Sequence, residues 1–347
     1  MPELTARDWV NNGVFLARKG LFQEAIRCFD RAIEINPRYA KAWFNKGICL
    51  VNLGKMQEAI TCFNEAIKIN PRSAKAWFKK GEAFFELGKF KEAIKCFDRA
   101  IELRPKFGKG RAWFYKGLAL QKTGNHREAI DCYERAIELN QENASAWYKK
   151  GLSLAELGML YEAVSCFDKA MEINPRDENF WFCKGKALIE LGLLYEAIKA
   201  FSKAIELNPK NSLAWEGKGL AFYDLGRFLD AKECFEKAVE MNSENQGAWI
   251  NLGAALHKLG FFNEAIACYD RVIERDPKNP LAWFGKGSAL ASIGKSKEAV
   301  EAYLNCIKFA ESNPEYAERV SKAKEYIRKL QTQIEDWESF WNKLKKK

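Results

Sequence analysis

Residues 40–73 have the sequence AKAWFNKGICLVNLGKMQEAITCFNEAIKINPRS. Its apolar and small residues recur at steps of three and four, beginning with Trp43 and Gly47, and this spacing is typical of a helix rather than a strand. Gly54 can adopt the left-handed conformation that stops a helix. Pro71 ends a second helix, because proline lacks an N–H and disfavours helical geometry in the residue before it. The segment therefore predicts two helices joined by a short turn.

The same segment recurs along the chain, and a tryptophan marks each copy. The spacing is 34 residues, except for 36 at one place, in the series Trp9, Trp43, Trp77, Trp113, Trp147, Trp181, Trp215, Trp249 and Trp283. A fixed period of this length indicates a stacked array, since one hairpin cannot bury its apolar face alone. We predict nine tandem hairpin units over residues 6–311, starting near residues 6, 40, 74, 110, 144, 178, 212, 246 and 280.

Small residues at fixed places predict how the two helices of a hairpin pack. Every unit has glycine four residues after its tryptophan and alanine sixteen after it. In the second unit these are Gly47 and Ala59, which lack bulk and let the two backbones approach. Trp43 and Phe63 are then expected to fill the space toward the neighbouring hairpin.

The pattern Trp-x-x-x-Gly, followed by Ala, Phe or Tyr, Ala and Pro, resembles the tetratricopeptide repeat (TPR) family, of the kind found in prokaryotic and archaeal solenoids. The resemblance extends over all nine units. It implies an all-α fold, namely a right-handed superhelical α-solenoid of stacked helix-turn-helix hairpins with a C-terminal capping helix. It also implies that the first helix of each hairpin lines a concave groove in which ligand peptides lie.

One departure from the family pattern is systematic. The family usually has leucine just before the early glycine, whereas this chain has Lys46, Lys80, Lys116, Lys150, Lys184, Lys218 and Lys286. A lysine stem can lie along apolar surface while its ammonium group stays in water. We therefore expect these lysines to leave the fold intact, with solvated ammonium groups.

The two additional residues of the longer spacing fall within residues 105–110, Pro-Lys-Phe-Gly-Lys-Gly. Surface loops tolerate insertions at a small cost in loop-closure entropy. A tolerated loop is therefore the preferred interpretation, and a local bend of the superhelix is the alternative.

After Pro314 the repeat stops and a heptad pattern begins. Steps of four and three separate Tyr316, Val320, Ala323, Ile327, Leu330, Ile334, Trp337, Trp341 and Leu344. We predict a helix over residues 314–345 whose beginning caps the open apolar face of the ninth unit. Two alternatives stay open: self-association or binding of a partner helix, and contact with a membrane surface through Trp337, Phe340, Trp341 and the terminal lysines.

The charge of the chain is uneven. The formal net charge is +10, and residues 1–150 contain 28 Lys and Arg against 17 Asp and Glu, whereas residues 151–300 contain 18 against 21. A basic N-terminal half indicates an acidic partner for that half. Neither a membrane-spanning apolar run nor a secretory signal is visible, so a cytoplasmic location is expected.

Seven of the ten cysteines share one place in the repeat: Cys28, Cys62, Cys96, Cys132, Cys166, Cys234 and Cys268. Equivalent atoms of stacked hairpins lie roughly 8–10 Å apart. That separation exceeds the Cα distance of a disulfide, about 7 Å at most. We predict small buried thiols in a reducing compartment.

No set of catalytic or metal-ligating residues is visible in the sequence. The two histidines, His126 and His257, lie in different units and have no third ligand at metal spacing. Phosphate-binding glycine motifs and a Ser-His-Asp set are also missing. We expect that the chain is not an enzyme and binds no cofactor or metal.

The resemblance maps the groove onto the first helices. Basic, amide and aromatic residues lie close to the tryptophans of units one to five, at Arg7, Lys41, Phe44, Asn45, Lys75, Phe78, Lys79, Arg111, Phe114 and Lys149. The cations and the amide would donate hydrogen bonds to an extended acidic peptide, and the rings would add apolar contact. Small and apolar residues replace them in later units, with Glu156, Glu190 and Asp224 on the same helices.

Some members of the family hold the C-terminal carboxylate of a peptide with a clamp from three consecutive hairpins. Asn45, Lys75 and Lys79 match its second- and third-repeat places, but Val10 and Val14 stand where Lys and Asn are usual. The match is partial, so a more general groove for acidic peptides is preferred. A merely solvated basic face is the third possibility.

These observations predict a protein–protein interaction scaffold that binds an extended acidic segment in its groove. Two other functions stay open. The basic and aromatic residues could hold single-stranded nucleic acid, and the C-terminal heptads could make the chain a self-associating assembly spacer.

Overall fold

The computed structural model describes residues 4–310 and 313–344, with side chains described up to residue 332. Within these residues every regular element is a helix, and the helices form tandem hairpins, which confirms the predicted all-α hairpin array. The chain divides into two compact units, Met1–Pro175 and Arg176–Lys347, which we call the N-terminal unit and the C-terminal unit.

The N-terminal unit contains five hairpins. From the second hairpin on, each first helix packs against the second helix of its own hairpin and against that of the hairpin before it. The helices are α1 (Ala6–Arg18), α2 (Phe22–Ile35), α3 (Ala40–Asn52), α4 (Met56–Ile69), α5 (Ala74–Glu86), α6 (Phe90–Leu103), α7 (Arg111–Lys122), α8 (His126–Leu139), α9 (Ala144–Glu156) and α10 (Leu160–Ile173).

The C-terminal unit contains four hairpins and a longer final helix. Its helices are α11 (Glu178–Glu190), α12 (Leu194–Leu207), α13 (Ser212–Asp224), α14 (Phe228–Met241), α15 (Gln246–Lys258), α16 (Phe262–Arg275), α17 (Pro280–Ser292), α18 (Ser296–Ala310) and α19 (Ala317–Leu344).

The stop signals of the sequence end the helices as predicted. The nine glycines that follow the tryptophans by eleven residues have φ angles between 71° and 86°. This is the left-handed region, which glycine enters without the penalty that a Cβ brings. Second helices end just before an Asn-Pro pair, as α2 does at Ile35 and α4 at Ile69.

A glycine on the first helix and an aromatic ring on the second hold each hairpin together. A Cβ on Gly47 would stand 2.6 Å from the ring of Phe63, and one on Gly81 would stand 2.6 Å from the ring of Phe97. The glycine thus makes room for the ring of the facing helix. This contact is more specific than the close backbone approach that the small residues predicted.

Six of the repeat tryptophans form a hydrogen bond with the linker that precedes their hairpin. The indole N–H of Trp43 donates a hydrogen bond of 3.0 Å to the backbone carbonyl of Pro37, six residues earlier. The same bond is made by Trp77, Trp147, Trp215, Trp249 and Trp283. It satisfies the polar edge of a half-buried ring.

The lysines that depart from the family pattern form ion pairs between neighbouring hairpins. The ammonium of Lys46 lies 2.5 Å from a carboxylate oxygen of Asp30. The equivalent pairs, at 2.6–2.7 Å, are Lys116 with Asp98, Lys150 with Glu134 and Lys286 with Asp270. These lysine side chains are only 18–24% exposed, so their stems are largely covered, as expected. The ion pairs were not expected from the sequence. We call each such pair a lysine rung.

The insertion between α6 and α7 packs into the core. Residues Phe107–Gly110 form a 3₁₀ turn in which Gly108 and Lys109 have positive φ angles. The centroid of the Phe107 ring lies 5.1 Å from that of Phe78 on α5. The ring of Phe107 therefore covers apolar surface of α5, a contact that neither interpretation from the sequence included.

Helix α19 covers the last hairpin, as the capping interpretation predicts. Its residues Ala323, Ile327 and Leu330 are buried against Leu290 and Tyr303 of α17 and α18. The side chains of the distal heptad positions and of the aromatic and lysine residues considered for membrane contact lie outside the described residues: Ile334, Trp337, Phe340, Trp341, Leu344 and the terminal lysines.

All ten cysteines are free thiols, and all but Cys183 are buried. Burial raises the pKa of Cys49 and Cys62 to about 11 and that of Cys268 to about 12. Thiols with such pKa values are protonated at neutral pH and pack as small apolar groups.

Candidate functional site

The first helices of the N-terminal unit form a continuous surface. Consecutive first helices (α1, α3, α5, α7 and α9) contact one another, whereas consecutive second helices contact one another less. We call this surface the first-helix face. The ten predicted site residues are all located on its helices: Arg7 on α1, Lys41, Phe44 and Asn45 on α3, Lys75, Phe78 and Lys79 on α5, Arg111 and Phe114 on α7, and Lys149 on α9.

A cleft of about 360 Å³ opens between α3 and α5. Four predicted residues line it, namely Lys41, Phe44, Asn45 and Lys75. The beginning of α3, the end of α4 and the beginning of α5 complete the lining with Ala40, Ala66, Asn70, Ser73 and Ala76. We call it the α3–α5 cleft.

The polar groups of the α3–α5 cleft are rich in hydrogen-bond donors. Lys41 and Lys75 are exposed, and neither forms an ion pair among the described residues. The side-chain nitrogen Nδ2 of Asn45 is buried and has no acceptor. Buried polar atoms normally have a partner, so an unpaired donor beside two free ammonium groups marks a place for an acceptor. A carboxylate is the acceptor that this set suits best.

A second cluster follows along the same face and centres on Glu82, a residue that the sequence analysis missed. One carboxylate oxygen of Glu82 lies 2.6 Å from the ammonium of Lys79, and the other lies 2.7 Å from Nη2 of Arg111. The Glu82 side chain is only 15% exposed. Lys79 and Arg111 are therefore partly neutralised within the protein. The spacing of three residues between Lys79 and Glu82 on one helix is the signal that could have revealed the first of these pairs.

Phe78 is a core residue and not a contact for a peptide. Only 1% of it is exposed. Its ring lies beneath the guanidinium of Arg111, at 5.1 Å, and against the rings of Phe107 and Tyr115, at 5.1 and 5.6 Å. The prediction that Phe78 supplies direct apolar contact is corrected accordingly: the ring supports Arg111 from below.

The remaining predicted residues are separate from the cleft. Arg7 is exposed on α1. Phe114 is half-buried, with its ring centroid 5.9 Å from that of Tyr133. The ammonium of Lys149 lies 5.3 Å from the ring centroid of Tyr148.

The three residues that match the carboxylate clamp do not lie together in the structure. Asn45 and Lys75 share the α3–α5 cleft, whereas Lys79 belongs to the Glu82 cluster. Val10, at one of the first-repeat places, is fully buried in the core. The polar groups available for a carboxylate are therefore Lys41, Asn45 and Lys75.

The first helices of the C-terminal unit present different chemistry. Glu216 stands one residue after its tryptophan, where Phe44 and Phe114 stand in the N-terminal unit. Its carboxylate accepts hydrogen bonds from the side-chain amides of Asn245, at 2.7 Å, and Asn251, at 3.0 Å. The neutral amides leave this carboxylate without a cation.

Metal ligands are not grouped in the described part of the chain, where no cluster of three or more His, Cys, Asp or Glu side chains occurs. Burial lowers the pKa of His257, whose ring nitrogen Nε2 lies 3.1 Å from Oγ of Ser292. Among the described residues, no helix is both long and apolar enough to cross a bilayer.

Sequence profiles of known families match almost the whole repeat region. Profiles described as Tetratricopeptide repeat match residues 6–39, 40–73, 74–107, 110–143, 144–177, 216–260 and 258–314, and one described as TPR repeat matches residues 185–226. The chain belongs to the tetratricopeptide repeat family.

Solved TPR structures resemble this TPR chain. YrrB, described as a TPR protein with an unusual peptide-binding site, is 26% identical with a TM-score of 0.50, and the match covers 55% of this chain and 97% of YrrB. The C-terminal part of a TPR protein from Cytophaga hutchinsonii is 20% identical (TM-score 0.61, 70% of this chain and 98% of that one). A TPR protein from Parabacteroides merdae is 18% identical (TM-score 0.57, 74% and 99%). The comparison with curated proteins gives no match.

Proposed function

We propose that this TPR chain is a protein-binding scaffold, and that the first-helix face of its N-terminal unit holds an extended acidic segment of a partner. The observation that carries the proposal is the α3–α5 cleft, with Lys41 and Lys75 unpaired and Asn45 Nδ2 without an acceptor. A carboxylate placed there would satisfy all three groups. The similarity to YrrB, a TPR protein with a peptide-binding site, supports the choice of a peptide as ligand.

An extended segment suits the cleft better than a folded surface. The cleft has a volume of about 360 Å³, and its apolar lining consists of one half-buried ring, Phe44, and small residues such as Ala66 and Ala76. A single side chain with a carboxylate end fits between two helices, and the rigid helices reduce the entropy lost on binding. We infer that adjacent residues of the segment continue toward the Glu82 cluster, where Lys79 and Arg111 offer further donors.

The role that we propose is binding without catalysis, cofactor or metal, in the cytoplasm. Ten free thiols, most of them buried, suit a reducing compartment. Nucleic acid is a weaker candidate, because Phe78, one of the rings considered for base stacking, is buried.

The test is the double substitution Lys41→Glu with Lys75→Glu. The probe is a fluorescein-labelled peptide of alternating glutamate and leucine, prepared with a free and with an amidated C-terminus. Reversing both charges of the cleft is expected to weaken binding by about 100-fold, since two charge-assisted contacts become repulsive. Fluorescence anisotropy measures the affinity. Equal binding of the two peptides would indicate recognition of side-chain carboxylates, and preference for the free C-terminus would indicate a clamp.

The matched control is Lys199→Glu with Lys210→Glu. Both lysines are exposed in the C-terminal unit, and the substitutions change the net charge by the same amount. The control is expected to bind the peptide nearly as well as the unsubstituted protein. If both double variants lose affinity equally, the net charge and not the α3–α5 cleft determines binding, and the proposal fails.

A further inference from the structure

The lysine rungs allow the same position, the partner of the rung lysine, to be compared between repeats. In each rung, the lysine on a first helix pairs with an acid on the second helix of the preceding hairpin. The pairs are Lys46 with Asp30, Lys116 with Asp98, Lys150 with Glu134, and Lys286 with Asp270, at 2.5–2.7 Å. The repeat thus shows which group belongs beside the lysine, and at what distance.

Two rungs lack their acid. Asn64 occupies the acid position before Lys80, and Ser202 occupies it before Lys218. Neither lysine forms an ion pair among the described residues, although the backbone around each repeats that of the complete rungs. In both rungs a neutral side chain stands at the acid position.

Lys80 is half-buried, and in the described part of the chain its ammonium contacts aromatic rings and no carboxylate. Its ammonium lies 5.0 Å from the ring centroid of Trp77 and 5.7 Å from that of Phe84. Ring faces attract a cation weakly compared with a carboxylate in contact. Lys80 thus lacks the anion that Lys46 and Lys116 have.

The surroundings of the two unpaired lysines differ in charge. Lys218 lines a cleft of about 560 Å³ together with four acids. Asp230, Glu236 and Glu240 are paired with Arg227, Lys232 and Lys237, whereas Glu233 forms no ion pair among the described residues.

On α6, beside Lys80, the place of Glu233 is taken by the exposed Lys95, and Lys91 and Glu92 are exposed near it. The other two acids of α6, Asp98 and Glu102, are paired with Lys116 and Arg99. On α4, Glu58 and Glu65 are already paired with Lys55 and Lys68. Of these two lysines, Lys80 therefore has the more positive surroundings.

We propose that Lys80 is a docking point for an aspartate or glutamate side chain of a partner protein. The carboxylate occupies the position that the rung acid holds at Lys46 and Lys116. Helices α4 and α6 both pack on α5, and Asn64 is neutral, so the rung position on α4 holds no acid that competes for the ammonium. The partner segment lies over α4 and α6 and contacts Lys91 and Lys95 at its edge.

This site is distinct from the α3–α5 cleft. Lys79 and Lys80 are consecutive on α5, but Lys79 pairs with Glu82 on the first-helix face, whereas Lys80 is turned toward its own second helix and influences the thiol of Cys96 there. A scaffold with both sites could hold two acidic segments, or two parts of one segment, on two sides of the same hairpins.

Zero-length carbodiimide cross-linking with a labelled octaglutamate peptide tests the proposal, because it joins an amine to a carboxylate only when they are in contact. Peptide mapping by mass spectrometry is expected to find the label on Lys80 and not on Lys116, which should instead link internally to Asp98. Asn64→Asp restores the internal acid and is expected to reduce labelling of Lys80 by about tenfold, since a tethered carboxylate acts at an effective concentration in the millimolar range.

Asn263→Asp is the matched control, because Asn263 is exposed on α16 and its substitution adds the same charge elsewhere. It should leave labelling of Lys80 unchanged. As a second measurement, Lys80→Gln should weaken binding of the peptide about threefold in a protein that also carries Lys41→Glu and Lys75→Glu. Labelling of Lys80 no stronger than that of Lys116, or equal labelling in the Asn64→Asp and Asn263→Asp variants, would overturn the proposal. Loss of the α3–α5 cleft alone would not affect it.

Discussion

The first helices of the N-terminal and C-terminal units have the same backbone structure but differ in the charge and polarity of their exposed side chains. In the N-terminal unit, Lys41 and Lys75 line a cleft with an unpaired amide donor. In the C-terminal unit, the corresponding helices carry Glu216, held by two asparagine amides, and Leu213, which is 53% exposed. The buried positions therefore determine the fold in both units, and the exposed positions determine what each unit can bind.

The cores of the two units, unlike their surfaces, repeat the same contacts. Gly81 faces Phe97 in the N-terminal unit as Gly219 faces Phe235 in the C-terminal unit, and a Cβ on either glycine would stand 2.6 Å from the ring. Trp77 and Trp215 both donate an indole hydrogen bond to a proline carbonyl. Substitutions in the core should thus act equally on the two units, whereas substitutions on the surface should not.

High pH should lower the free energy of unfolding of both units. This is the largest effect that we expect. Burial raises the pKa of Cys96 and Cys132 to about 11 in one unit, and that of Cys234 to about 11 and Cys268 to about 12 in the other. These thiols keep their protons longer when folded, so their stabilising contribution is complete below pH 9 and is lost as the pH rises through 11. Each contributes on the order of 1–2 kcal/mol. Urea unfolding at pH 7, 9, 10 and 11 measures the loss.

The control for the alkaline effect replaces Cys96, Cys132 and Cys234 by alanine. This variant should be less stable at pH 7 but should lose less of its free energy of unfolding between pH 9 and 11. An unchanged slope would show that the thiols are not the groups that titrate.

Valine at the hairpin glycines tests whether the cores of the two units respond equally to the same substitution. Gly81→Val and Gly219→Val each place side-chain atoms inside a ring, and each is expected to reduce the free energy of unfolding by about 3 kcal/mol. Chemical denaturation followed by circular dichroism measures both. A difference of several kcal/mol between the two variants would mean that the units do not share one packing rule.

Removing Glu82 should increase the difference in peptide affinity between the first helices of the N-terminal unit and those of the C-terminal unit. Glu82→Ala releases Lys79 and Arg111 from their ion pairs, so the N-terminal unit should bind the glutamate–leucine peptide about tenfold more tightly. Glu216→Ala in the C-terminal unit is the comparison, because it removes one acid from a surface that lacks these cations. Anisotropy titrations at two salt concentrations distinguish a local gain from a change in net charge. Equal gains in both variants would count against a cation-specific site.

The hairpins could be predicted because their signals are local. Trp43, Gly54 and Pro71 mark the start of packing, the turn and the end within a single unit, and the structure places helix boundaries accordingly. The capping role of α19 was also visible, since Ala323, Ile327 and Leu330 keep a regular spacing. Local spacing is sufficient wherever each residue packs against a neighbour in its own repeat.

The sites were predicted less well because they depend on contacts between repeats. Arg111 meets Glu82 across 29 residues of sequence, and nothing in either segment alone shows that the acid neutralises it. Phe78 was assigned to the surface by its position after the tryptophan, but the ring of Phe107 in the insertion covers it. The lysine rungs were missed for the same reason, since Lys46 and Asp30 belong to different hairpins.

The hydrogen bond from an indole to the linker carbonyl, which Trp43 and five other tryptophans make, turns each of these residues into an optical reporter of a single junction. Loosening of the linker at Pro37 would break the bond of Trp43 and change the polarity around that one ring, while the other indoles keep theirs. With all other tryptophans replaced by phenylalanine, the emission wavelength of the remaining residue would follow the opening of one linker. The chain thus carries a series of fluorescent probes along its length, which can show whether hairpins separate one at a time or together.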